Sequence, residues 1–179
     1  ISVGGTNSNS SNKIIYSIDG QNWKSAGYEG LNLNYGKKVI YCNENYFMMT
    51  NNKSFYSSTD GISWNLIDNN LSSSMKSKDF NNYICLNDLI IVLADGSYLA
   101  YSSNGIAFTE LYNLGGGGAK DITYGQGVYV LIRSRDLFYN TTLSNTNWAQ
   151  VYSGARTLNK VIYRQNLFVA VGDTGRILT

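Results

Sequence analysis

Histidine and proline are absent from this chain and cysteine occurs only twice, and each shortage excludes something. Without histidine the usual zinc and copper sites lose their commonest ligand, and Cys42 and Cys85 form no metal-binding pattern, so no metal and no cofactor is expected. No stretch nears the roughly twenty apolar residues of a membrane-spanning helix, and no basic segment precedes an apolar one at the N-terminus. Neither membrane insertion nor a signal peptide is therefore expected. A net charge of +2 is too small for a nucleic-acid footprint, which needs Lys and Arg gathered on one face. Without proline, turns fall to Gly, Asn, Asp and Ser, which reach left-handed backbone angles or cap a turn locally.

What is present points to a folded β protein. Of 179 residues 43% are hydrophobic and 15% charged, which is too apolar for disorder. Fifteen tyrosines and short apolar runs favour many strands over long helices. One phrase organises them: Ser17-Ile18-Asp19-Gly20-Gln21-Asn22-Trp23 returns as Ser58-Thr59-Asp60-Gly61-Ile62-Ser63-Trp64 and as Ser102-Ser103-Asn104-Gly105-Ile106-Ala107-Phe108. A worn fourth copy runs from Asn140 to Trp148. The closing aromatics are 41, 44 and 40 residues apart, the period of one four-stranded propeller blade.

Between the motifs the order strand, turn, strand, turn, strand recurs: Val39 to Cys42 with Tyr46 to Met49 and Ser54 to Tyr56, then Tyr83 to Cys85 with Leu89 to Leu93 and Tyr98 to Tyr101. It recurs again from Ile122 to Tyr139 and from Val161 to Leu178. The expected fold is all-β, a β-propeller of four-stranded antiparallel blades with a period of about 40 residues and incomplete terminal blades, in units of about 1–30, 31–72, 73–115, 116–155 and 156–179. Because the second and third strands are present in both end units, and the chain opens on Ile1 rather than Met, a segment of a larger propeller is expected. Aligned this way, Cys42, Cys85, Tyr124 and Tyr163 share one position. The cysteines are read as small buried apolar residues, with a disulfide between neighbouring inner strands as the alternative. Gly115 to Gly118 is read as a flexible connection, since a phosphate loop would need Lys-Ser/Thr and a helix after it.

The motif itself is read as structural. Ser17, Asp19, Ser58, Asp60, Ser102 and Asn104 accept from N–H groups that a tight turn leaves without partners. Gly20, Gly61 and Gly105 take the positive φ, and Trp23, Trp64, Phe108 and Trp148 bury a ring on the adjacent sheet. Ser-x-Asp-Gly-x-x-Trp after an apolar strand resembles a shortened Asp-box, the bacterial neuraminidase repeat of sialidases, photosystem II assembly-factor-like propellers and viral or phage structural proteins. Phe168 to Ile177 is similar to the strand preceding such a box in the last two groups. The resemblance covers nearly the whole chain and implies that the box lies on the face away from the ligand-binding mouth.

A sialidase-like glycoside hydrolase would need three convergent arginines, a tyrosine backed by a glutamate, and an acid. The arginines are confined to Arg133, Arg135, Arg156, Arg164 and Arg176, the glutamates Glu29, Glu44 and Glu110 stand in no motif, and loop aspartates such as Asp79, Asp95, Asp121 and Asp173 are ordinary turn formers. The expectation is a non-enzyme. Lys38, Asn81, Lys120 and Asn159 start the first strands and should form an arc around one mouth, joined by the turns carrying Asn51, Asn52, Asp95, Arg133, Arg135 and Asp173. Such a rim suits a glycan or a protein partner. The expected role is a non-catalytic recognition or assembly module, located on a virion, phage tail or bacterial surface; the alternatives are the sialidase-like hydrolase and an intracellular photosystem-type assembly factor. Abundant Asn and Lys lean towards an AT-rich viral or bacterial source, an association without mechanism.

Overall fold

The structure, a computed structural model, describes residues 1–3, 14–27, 36–112, 114 and 117–179. The expected loop from Thr6 to Asn12, Glu29, Gly30 and the Gly115-Gly116 half of the glycine tract lie outside the described residues. The chain is all-β, with five sheets among the described residues, each a meander of consecutive strands. The first holds β1 (Ser2–Val3), β2 (Ile14–Tyr16) and β3 (Lys24–Ser25). The second holds β4 (Gly36–Cys42), β5 (Asn45–Thr50), β6 (Phe55–Ser58) and β7 (Asn65–Ile67). The third holds β8 (Phe80–Leu86), β9 (Leu89–Ala94), β10 (Tyr98–Ser102) and β11 (Thr109–Leu111). The fourth holds β12 (Ala119–Gly125), β13 (Val128–Arg133), β14 (Asp136–Asn140) and β15 (Ala149–Ser153), and the fifth β16 (Leu158–Arg164), β17 (Leu167–Gly172) and β18 (Ile177–Leu178). A helical turn, α1 (Ser73–Lys76), is capped by the Ser72 hydroxyl, which accepts from the Met75 N–H. No helix among the described residues is long and apolar enough to cross a membrane.

Turn chemistry sets this order. The first two strands of four sheets are joined by two-residue loops, Asn43-Glu44, Asn87-Asp88, Gln126-Gly127 and Gln165-Asn166, with positive φ at both positions. That backbone twist matches the twist of the flanking strands, which is why hairpins select it. The Ser-x-Asp-Gly phrases lead into the last strand of their sheets, from β2 to β3, β6 to β7 and β10 to β11. Ser17 Oγ accepts from the Gly20 N–H at 2.9 Å, and Asp19 Oδ1 from the N–H groups of Gln21 and Asn22 at 2.9 and 2.8 Å. Ser58 and Asp60 repeat these bonds to Gly61, Ile62 and Ser63, each at 2.8 Å. Ser102 and Asn104 make them to Gly105, Ile106 and Ala107 at 2.9 to 3.0 Å, so an amide oxygen serves as well as a carboxylate. In the worn copy Asn140 instead donates to Thr146 O and Trp148 Nε1 to Ser144 O, both at 2.8 Å.

The hairpin turns also correct the alignment of the repeats. Asn43-Glu44 matches Asn87-Asp88, so Cys42 corresponds to Leu86, Gly125 and Arg164, whereas Tyr41 corresponds to Cys85, Tyr124 and Tyr163. The two cysteines are therefore one position apart, and they are not free thiols: Cys42 and Cys85 form a disulfide with Cα atoms 5.6 Å apart. The expectation of two buried thiols fails because the fold brings Cys42 of β4 and Cys85 of β8, 43 positions apart, to within bridging distance.

The chain divides into two compact units: Ile1–Asn70 with Tyr83–Ile90 and Ser102–Phe108, and Leu71–Asn82 with Ile91–Tyr101 and Thr109–Thr179. In the first, Ile14 and Ala26 of the first sheet pack with Met48, Tyr56 and Trp64 of the second. Phe55 meets Tyr83 edge-on at 5.4 Å and Phe108 at 5.9 Å between ring centroids. In the second, Val130 and Ile132 of the fourth sheet pack with Leu158, Val161 and Ala170 of the fifth. Within each unit, sheet is thus laid on sheet.

Candidate functional site

The residues that begin the first strands stand out because of a backbone irregularity. Pairing of β4 with β5 skips a residue between Gly36 and Lys38, that of β12 with β13 between Ala119 and Asp121, and that of β16 with β17 between Leu158 and Lys160. Lys37, Lys120 and Asn159 are the extra residues, and a bulge re-aims the side chain it carries. The expected arc is therefore corrected by one position at its start: Lys37, not Lys38, is the counterpart of Lys120 and Asn159. Lys38 lies in the paired ladder opposite Met49. The offset arises because Cys42 and Cys85 stand one position apart relative to their hairpin turns.

In the second unit the residues expected at the rim are bonded to one another. Asn81 Nδ2 donates to Asp95 Oδ1 at 2.8 Å and to Ala119 O at 2.9 Å. Asn159 Nδ2 makes the same bond to Asp173 Oδ1 at 2.7 Å, while its Oδ1 accepts from Lys120 Nζ at 3.3 Å. Asp95 and Asp173 each stand on the turn after the second strand, fourteen residues beyond their asparagine, so the two bonds are copies in successive repeats. Gly118 lets Asp95 approach: a Cβ there would lie 2.8 Å from Asp95 Oδ1. Asn81, Asp95, Asn159 and Asp173 are exposed, and Lys120 is half-buried.

One residue inward, the chemistry changes. Asp121 is 1% exposed and its carboxylate accepts from Asn82 Nδ2 at 2.6 Å, Lys160 Nζ at 3.1 Å and the Val161 N–H at 2.8 Å. A buried carboxylate so enclosed joins three first strands and has no lone pair turned to solvent for acid–base work. Asn82 and Lys160 were not anticipated; the signal that could have found them is their placement one residue after Asn81 and Asn159.

Arg133 is also displaced from expectation. It ends β13 with its side chain buried, its guanidinium 3.3 Å from the Phe138 ring centroid, so it is not a rim residue. Burial lowers its pKa, opposed by the Asp136 carboxylate. Arg135 is exposed on the turn. Asn52, in the first unit, pairs its side-chain oxygen with the Thr50 hydroxyl. Arg176 stacks near Tyr152 and donates to its hydroxyl. Glu110 is committed to the Ser72 N–H and hydroxyl at 2.5 and 2.7 Å, bracing the start of α1. Two of the five arginines and one of the three glutamates are thus engaged in structural contacts. No cluster of His, Cys, Asp and Glu suited to a metal occurs among the described residues.

No protein-family model matches the sequence, and no curated protein matches it. Solved structures do. A structure described as YCF48 bound to D1 peptide is similar with a TM-score of 0.69 at 14% identity, over 88% of this chain and 53% of that one. The computationally designed Ika4 protein gives 0.63 at 11%, over 86% and 94%, and human WBSCR16 gives 0.58 at 10%, over 87% and 49%. The chain spans about half the length of the YCF48 and WBSCR16 chains. At these identities the likeness concerns the fold alone, and that fold is propeller-like.

Proposed function

We propose that the chain is a non-catalytic recognition module of the β-propeller type that holds a protein partner against the rim of Asn81, Lys120 and Asn159. The observation that carries this reading is the repeated pairing of a first-strand asparagine with a turn aspartate, Asn81 with Asp95 and Asn159 with Asp173. Side chains fixed in this way present amide and carboxylate edges already ordered, so a partner loses little further side-chain entropy on meeting them. Lys120 adds a positive charge held at a defined place by Asn159. That YCF48 is described as bound to a peptide supports a protein partner over a glycan.

First strands starting at Gly36, Phe80, Ala119 and Leu158 support the period of about forty residues expected of a propeller blade, and the shared Ser and Asp bonding supports the Asp-box kinship. The disulfide supports an oxidising location, such as a virion exterior or a cell surface, since cytosolic thiols are kept reduced. Panning a peptide display library against the chain, followed by calorimetry, tests the reading. Lys120→Ala combined with Asn159→Ala should weaken selected peptides by roughly tenfold or more without lowering the melting temperature. Binders indifferent to the double variant, or binding confined to a glycan array, would overturn it.

A further inference from the structure

The third sheet ends in an aromatic pair that the fold itself does not require. One residue outward from the Leu99–Leu111 pair stand Tyr98, which opens β10, and Tyr112, just after β11. The same two places hold Ser54 and Asp68 beside the Phe55–Ile67 pair of the second sheet, and Asp136 and Ser153 beside the Leu137–Tyr152 pair of the fourth. Small polar residues thus suffice to end these strands, whereas in the third sheet two tyrosine rings meet with centroids 6.1 Å apart at 60°. Tyr112 is 46% exposed between buried Leu111 and Leu114, so burial does not account for the ring. Its N–H donates to Asn145 Oδ1 at 2.9 Å, which fixes the backbone that carries it.

With Ser72, Ser74 and Glu110 the two rings line a cleft of about 340 Å³, and all five residues belong to the second unit. That volume is at the lower end of ligand sites, about 300–1,000 Å³, and suits one side chain. The charge of the cleft comes from Glu110. The Ser72 N–H and hydroxyl take one acceptor site on each carboxylate oxygen, and a carboxylate offers about four. Among the described residues no Lys or Arg lies within ion-pairing distance of Glu110. Lys78 Nζ lies over the Tyr98 ring, 5.2 Å from its centroid, whereas no described cation covers Tyr112. An unpaired carboxylate beside an open tyrosine face is complementary to a flat cation. The ring quadrupole and the carboxylate charge attract it together, and a guanidinium can stack on the ring while donating an N–H to the oxygen.

We propose that this cleft takes an arginine side chain of a partner protein, its guanidinium on the Tyr112 ring and one N–H directed at Glu110. Asp95, bonded to Asn81, and Tyr98 bound the same turn, and three residues span at most about 11 Å. A peptide crossing the proposed rim therefore reaches the cleft within a few residues. Only the source of the cation, a peptide side chain, rests on the protein-partner reading.

Heteronuclear NMR titration of the full chain with acetyl-Gly-Arg-Gly-amide tests this. Saturable shifts are expected at the amides of Tyr98, Glu110 and Tyr112, and acetyl-Gly-Glu-Gly-amide should cause none. Tyr112→Ser, which copies Ser153 of the fourth sheet, and Glu110→Gln, which keeps an acceptor for the Ser72 N–H, should each weaken the arginine probe by about three- to fivefold. Both should keep the β-sheet circular dichroism, and Tyr112→Phe should bind as the wild type does. Absence of saturable shifts, equal shifts with the glutamate peptide, an affinity unmoved by Tyr112→Ser or Glu110→Gln, or a methyl glycoside that binds the cleft where the arginine peptide does not would overturn the proposal. The probe reports on the cleft alone, so its failure leaves the rim to the panning experiment. Panned peptides indifferent to Lys120 and Asn159 would likewise leave a positive titration of the cleft standing.

Discussion

Breaking the Cys42–Cys85 bridge should cost the first unit a large part of its stability. The cysteines are 43 residues apart in sequence, and closing a loop of that length removes denatured-state entropy worth about 4 kcal/mol at 25 °C. Against a domain stability of about 5–15 kcal/mol, this is a quarter or more of the total. At a urea dependence of about 2–3 kcal/mol per molar, the unfolding midpoint should fall by about 1.3–2 M. The assay is urea unfolding of the oxidised chain, the chain reduced with a phosphine, and the Cys42→Ala/Cys85→Ala variant. Reduction isolates the cross-link, since both sulfurs remain in place, whereas the variant adds the loss of the buried Cys42 side chain. Free thiols titrating in the unreduced, denatured protein would refute the bridge. Coincident midpoints for oxidised and reduced chains would refute the entropic reasoning.

Two further outcomes follow from the carboxylates. Asp121→Ala leaves the Asn82 amide and the Val161 N–H without their acceptor in a buried place and should cost about 2–3 kcal/mol, whereas Lys160→Ala, removing a side chain 51% exposed, should cost under about 1 kcal/mol; unfolding midpoints that ranked the two in the opposite order would refute the assignment of Asp121 as the anchor. Asp60 accepts from the Ser63 and Ile62 N–H groups and the Ser58 hydroxyl, which lower its pKa from 3.8 to about 2. A folded pKa below the unfolded one means its stabilisation is complete above pH 3.8 and disappears as pH falls through about 2. Asp60→Asn, which copies the Asn104 arrangement, should flatten the acid loss of melting temperature in that window, and an unchanged slope would refute it.

The strands, their order and their turns were legible in the sequence because each depends on near neighbours. Short apolar runs, paired left-handed turn residues such as Asn87-Asp88, and Ser and Asp side chains reaching N–H groups two or three residues away all leave local marks. The bonded residues at the starts of the first strands were half legible. Asn81, Lys120 and Asn159 were found as a recurring position, and Asp95 and Asp173 as turn residues. That each aspartate is bonded to its asparagine was not visible, because the partners sit on different strands. Lys38 was chosen for Lys37 because a bulge adds one residue without changing the apolar pattern around it, so only the hairpin turn exposes the offset.

Arg133 shows the same limit from the other side. Its neighbours Ser134 and Arg135 make a turn, and nothing in the string of residues distinguishes a guanidinium lying on Phe138 from one in solvent. By itself, then, the sequence determined the all-β class, the antiparallel meanders and the recurring turn, since hydrogen bonding and backbone preference act over a few residues. The tertiary structure alone decided that Cys42 and Cys85 are bonded and that Asp121 is enclosed by Asn82, Lys160 and Val161. Those facts depend on which first strands lie side by side and which sheet faces meet, and residues about forty positions apart carry no local record of meeting.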